Sequence, residues 1–156
     1  MENNQKPETS IQDNDIVFDE TLQSYYDNGK IHMRAHYRNG KVTGLFQMWR
    51  DDGLIYTECT FKDGVHDGVS RWWYSNGQLR VCSNYKKGKL EGLYEYWNKS
   101  GQLKERGFFH NGLREGVWET FHDNGQLKER SNWKDDSRVG IVERWYDNGL
   151  PKNINY

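Results

Sequence analysis

The stretch GVWETFHDNGQLKER, residues 116–130, sets an aromatic-rich run against a second alternating run, with Asn124 and Gly125 between them. Asn-Gly in that setting is the strongest short-range hairpin signal, because a type I′ turn needs positive φ at both central residues. Moving outward, Gly recurs at 29, 53, 77, 101, 125 and 149, a spacing of 24 with no insertion. A second column is Gly44, Gly68, Gly92, Gly116 and Gly140. A third runs through Gly40, Gly64, Gly88 and Gly112 and lapses at Asp136. Aromatic residues fill two more columns, Tyr25, Trp49, Trp73, Trp97, Phe121 and Trp145, and Tyr37, Phe61, Tyr85, Phe109 and Trp133. A fixed period of this length is the signature of a repeat architecture.

Each repeat therefore reads as a hairpin. The Asn28-Gly29 kind of turn closes one end as type I′, and the Asn39-Gly40 kind, with a longer loop reaching Gly44, closes the other. A helix is excluded, since Gly or Asn-Gly every 8 to 13 residues would interrupt it. With strands spaced by about 4.8 Å, roughly eleven of them make a body about 50 Å long. The fold expected is all-β, an elongated single-layer antiparallel meander of about five 24-residue hairpin repeats.

Composition fits a thin sheet better than a thick globule. Mean hydropathy is −1.11, yet the chain holds 7 Trp, 10 Tyr and 6 Phe, and rings on that scale are wasted unless they pack. Net charge is −1 and the pI about 6.5, which argues against a nucleic-acid binder held by electrostatics. In residues 1–22, Glu2, Glu8, Asp13, Asp15, Asp19 and Glu20 against Lys6 give −5, leaving +4 for the rest. Residues 1–22 are thus expected to be an acidic, largely flexible arm, 23–150 the repeat array, and 151–156 an end segment where Pro151 stops the pairing. The opening residues carry neither a basic nor an apolar leader, so a cytoplasmic location is expected.

Comparing repeats separates positions that every unit needs from positions that could read a partner. The Gly44 column is expected at a strand start, leaving room for a ring of the Tyr37 column. The aliphatic column Leu45, Val69, Leu93, Val117 and Ile141 shares a face with the aromatic column four residues on, and the two are expected to form the core ladders. On the other face lie Phe46, Met48, Trp72, Tyr94, Tyr96 and Trp118. Two readings of that strip stand side by side: an open aromatic interface for a partner, or a second small core closed by the curl of the sheet. Arg38, Lys62, Lys86, His110 and Lys134 form a row that could meet an anionic surface or simply solvate an edge. Glu95, Glu119 and Glu143 form an acidic row in the partner strand.

Catalytic and metal chemistry are not expected. Cys59 and Cys82 are 23 apart, one short of the period, so they fall on opposite faces and should stay reduced. The five His occupy five different columns without zinc spacing, and the serines that could serve as nucleophiles fall in turn and small-residue positions. No cofactor is expected.

The unit at 74–97, Tyr-x-Asn-Gly-Gln-Leu followed by Tyr85, Gly88, Gly92 and Trp97, resembles the MORN repeat in its bacterial variant form. The resemblance spans about residues 23–150. It implies a non-enzymatic protein-binding repeat module, and in its most concrete form a bacterial antitoxin or immunity protein that occludes a deaminase-type toxin. A lipid-surface module and an array self-associating through its edge strands are the alternatives.

Overall fold

The computed structural model describes residues 18–152. The expected flexibility of residues 1–17, and the end segment at 153–156, lie outside the described residues. Eleven strands run β1 (Asp19–Tyr25), β2 (Ile31–Arg38), β3 (Lys41–Trp49), β4 (Ile55–Lys62), β5 (Val65–Trp73), β6 (Leu79–Lys86), β7 (Lys89–Trp97), β8 (Leu103–His110), β9 (Leu113–Phe121), β10 (Leu127–Lys134) and β11 (Ser137–Arg144). They form one antiparallel sheet in sequential order, the all-β meander expected from the period. β1 begins at Asp19, so residues 19–22 are part of the sheet rather than of the acidic arm.

The two kinds of turn are the reverse of the sequence expectation. In the Asn28-Gly29 column only the glycine has positive φ, and a three-residue loop is closed by Tyr26 N–H to Lys30 O at 2.8 Å and Gly29 N–H to Tyr26 O at 2.9 Å. Asn28 is there for its side chain: its Oδ1 accepts the Lys30 N–H at 3.0 Å, an Asx turn repeated at Asp52, Asn76, Asn124 and Asn148. The type I′ turns are at the opposite end, as tight two-residue loops. Asn39, Asp63, Lys87, Asn111 and Asp135 all have φ near 50°, and the residue after each is also left-handed. Asp136 fills the lapsed glycine position at φ 64°, a conformation Asp tolerates better than most residues.

Gly44 and its equivalents do not start strands. They sit inside β3, β5, β7, β9 and β11 at φ between 69° and 116°, where a bulge shifts the register against the preceding strand. A Cβ at Gly44, Gly116 or Gly140 would meet no atom within 4 Å, so the left-handed backbone demands these glycines, and room for a ring does not.

Successive hairpins are stitched at both ends. At the type I′ end the turn amide of each hairpin reaches back to the one before, as in Gly64 N–H to Val42 O and Gly88 N–H to His66 O, both 2.8 Å. At the other end Tyr26 and Tyr74 hydroxyls donate to Trp49 O and Trp97 O at 2.7 and 2.9 Å. Pairing also continues past Pro151. Pro151 bridges Trp145, and the Lys152 N–H supplies the bond to Arg144 O, 2.7 Å, that a proline cannot.

The core follows one row of cross-strand neighbours. Ala35, Phe46, Cys59, Ser70, Ser83, Tyr94 and Gly107 face one another in register, and Trp118 and Ser131 continue the line. Ala35, Cys59, Ser70, Ser83, Trp118 and Ser131 are all buried. Small side chains form the floor, and rings from flanking columns lean over it. The expected aliphatic ladder lies on the other face and is largely open: Leu45 is 46% exposed, Leu93 38%, Val117 44% and Ile141 62%. A single layer has no second sheet to cover that face, so only the ring-bearing face closes on itself.

Candidate functional site

The ring-bearing face collects the six strip residues that the sequence singles out. Trp118 stacks on Tyr94, centroids 5.8 Å apart and 27° between planes, and meets Phe109 edge-on at 5.2 Å. Its Nε1 donates to Phe108 O at 3.2 Å. Phe46 meets Phe61 edge-on, Trp72 meets Tyr56 edge-on and donates from Nε1 to Ser70 Oγ, and the Tyr96 hydroxyl lies 3.2 Å from that of Tyr74, which accepts from it while giving its own proton to Trp97 O. Burial pushes the Tyr94 phenol up, with Glu105 adding to the shift. Met48, in register with Met33 and Thr57, is half-buried. All six lie on one face, Trp118 buried and the other five half-buried, and five of them have a ring or hydrogen-bond partner within the chain.

The signal for that row was present as a column: Ala35, Cys59, Ser83, Gly107 and Ser131 recur every 24 residues and are always small. Gly107 is the extreme case. A Cβ there would lie 2.3 Å from the Trp118 ring, so the indole occupies the space of a side chain. Cys59 lies buried in this row, within 3.2 Å of Ser70 Oγ, and Cys82 on the other face; both are free thiols.

The opposite face is organised by charge. Arg34, Gln47, Glu58, Arg71, Cys82, Glu95, Arg106, Glu119, Arg130 and Glu143 stand in unbroken cross-strand register. Glu58 takes Arg71 at 2.9 Å and Gln47 at 3.0 Å. Glu119, only 7% exposed, takes Arg106 at 2.6 Å and Arg130 at 2.9 Å. Burial works against the Glu119 charge, but these two guanidiniums outweigh it and hold the carboxyl below its ordinary range. Beside this ladder runs the exposed apolar stripe of Leu45, Leu93, Phe108, Val117 and Ile141. Where Leu93, Phe108 and Val117 converge with Glu95, Arg106 and Glu119 they line a cavity of about 290 Å³.

The row expected to meet an anionic surface is exposed beside the type I′ turns but partly neutralised. Arg38 pairs with Asp19 at 2.9 Å, and His110 Nδ1 lies 3.1 Å from Glu91. Lys62, Lys86 and Lys134 make no ion pair among the described residues. Glu91 is also used structurally, accepting the strained Asn111 N–H at 2.8 Å, and that bond holds its carboxyl below the usual value. No group of three metal-ligating side chains occurs among the described residues.

The family model of the MORN repeat variant matches residues 21–39, 67–87, 90–111 and 114–135, together just over half of the chain. Each matched stretch is one hairpin closed by the three-residue loop, with Asn28, Asn76 and Asn124 making the Asx turn in three of them and Ser100 in that place in the fourth, where Asn98 Oδ1 accepts the Ser100 and Gln102 N–H groups instead. No curated protein matches the chain. The unmatched hairpin β3–β4 departs from the pattern at Arg50 and Asp52 yet keeps the same turn bonds, Arg50 N–H to Leu54 O and Gly53 N–H to Arg50 O. With its hairpins, their period and this match in agreement, the chain belongs to the MORN repeat variant family.

Proposed function

We propose that the protein is a non-enzymatic binding module that engages another protein through the charge-laddered face of its sheet. The observation that carries the reading is the exposed apolar row of Leu45, Leu93, Phe108, Val117 and Ile141, bordered by the ion pairs of Glu58 and Glu119. An apolar centre with a charged rim is how specific interfaces are composed, and that centre is continuous across β7–β9, where Leu93, Phe108 and Val117 adjoin, with Thr60, Asn84 and Asn132 interrupting the row elsewhere. The ring-bearing face spends its aromatic area on contacts within the chain and supports the sheet that presents the stripe. The action is steric occlusion of the partner. In its specific form, the protein is an immunity protein that covers a deaminase-type toxin, a form supported by the resemblance of the repeat unit to the bacterial variant.

The test uses the full chain and a Leu93→Asp, Val117→Asp variant as baits in native lysate, with bound proteins identified by mass spectrometry. The expected result is a partner held by the wild type and lost by the variant at an unchanged melting temperature. A toxin among the bound proteins supports the specific form. Equal retention by both baits counts against this face. Strong binding to anionic vesicles that Lys62→Glu with Lys86→Glu abolishes would replace the protein-partner reading with a lipid-surface one.

A further inference from the structure

We propose that the groove walled by Leu93, Phe108 and Val117 receives one arginine side chain of the partner protein, with Glu95 as its counter-charge; this rests on the binding reading above and names the chemistry of its anchor. Along the ladder, the other acids find cations within the chain: Glu58 has Arg71, Glu119 has Arg106 and Arg130, and Glu143 has Arg130 at 3.8 Å. Glu95 has no ion pair among the described residues.

The reason is local. Glu95 stands in register between Cys82 and Arg106. Cys82 holds the place where β2, β8 and β10 carry Arg34, Arg106 and Arg130, so no cation comes from that side. On the other side Arg106 is committed elsewhere, its Nε 2.6 Å from Glu119 and its guanidinium over the Phe121 ring at 5.6 Å. Glu95 is thus the one ladder acid without an ion pair among the described residues, and it lines the 290 Å³ cavity.

The walls decide which cation fits. Phe108 is 51% exposed and Val117 44%, an apolar surface for methylenes and a ring face for a planar group. Arginine offers both, together with a fork of N–H donors for the carboxylate, whereas the ammonium of lysine is strongly hydrated and does not stack. A cavity of this size is small for a drug-like ligand and suits one side chain.

The test is titration of isotope-labelled full chain with N-acetyl-arginine N-methylamide, following the Leu93 and Val117 methyl and Phe108 ring resonances, with the matching citrulline and lysine compounds as controls. Saturable shifts at those three residues are expected for arginine, with citrulline weaker by about fivefold, the factor a partly screened ion pair supplies. Glu95→Gln should reduce arginine to the citrulline level. Cys82→Arg should do the same while leaving the melting temperature equal or higher, because it supplies the missing cation from within the ladder. Citrulline binding as well as arginine, or arginine binding undiminished in Cys82→Arg, would overturn the assignment. If arginine fails while Leu93→Asp with Val117→Asp still abolishes partner capture, the arginine anchor falls and the binding face stands.

Discussion

Replacing Gly107 by alanine is a sharp test of the core, because the three atoms nearest the added methyl all belong to the Trp118 ring and the backbone does not demand a glycine. Gly107 is not in the left-handed region, so the backbone tolerates a side chain there. The Cβ would sit 2.3 Å from two Trp118 ring atoms and 2.7 Å from a third. To reach ordinary contact at 3.4 Å the indole must retreat by about 1 Å, which forfeits much of the dispersion gained at its present seat. That retreat strains the Nε1 bond to Phe108 O, worth about 1 kcal/mol. It also loosens the Tyr94 and Phe109 contacts, each worth about 0.5–1.5 kcal/mol beyond area. Against this, alanine in a strand recovers about 0.5–1 kcal/mol of backbone entropy. The net expectation is a loss of about 2 kcal/mol, within the usual range for overpacking. For a chain of this length it lowers the melting temperature by about 4–8 °C. The assay is urea unfolding followed by circular dichroism, in the wild type and in Trp118→Ser, which copies the residue that the β5 repeat carries at Ser70. With the ring gone, Gly107→Ala should become neutral or stabilising. Stability of Gly107→Ala at or above wild type, or the same loss in both backgrounds, would refute the account of the small-residue row.

Two further outcomes follow from the same geometry. The His66 ring lies edge-on between Phe61 at 4.2 Å and Tyr85 at 4.9 Å, and burial lowers its pKa from 6.5. Below pH 6.5 the unfolded chain therefore takes up a proton that the folded chain resists, so stability is full above that pH and falls as pH drops toward the folded pKa; His66→Phe should flatten this part of the stability–pH curve measured by urea titration. Gly116→Ala places a methyl in open space but at φ 72°, and should cost about 1–2 kcal/mol from the backbone alone, with Gly116→Asn costing less in the same assay.

The fold is legible in the spacing of residues along the chain. A period of 24 held without insertion fixes the strand count, the sequential order and the antiparallel sense, because each unit can only pair with its neighbours. It also told that Cys59 and Cys82 lie on opposite faces, since strand alternation has a period of two. Turn types escaped it for a physical reason: Asn-Gly satisfies both a type I′ turn and an Asx turn, and only the stacked hydrogen bonds of successive hairpins choose between them. The choice of face also needed the tertiary structure. Both faces carry an apolar column in sequence, and which one closes depends on rings reaching across strands to cover a small-residue floor, as Trp118 does over Gly107. The unpaired Glu95 is a tertiary fact for the same reason. The sequence places Arg106 beside it, but the guanidinium turns to Glu119, where burial makes a counter-charge worth more.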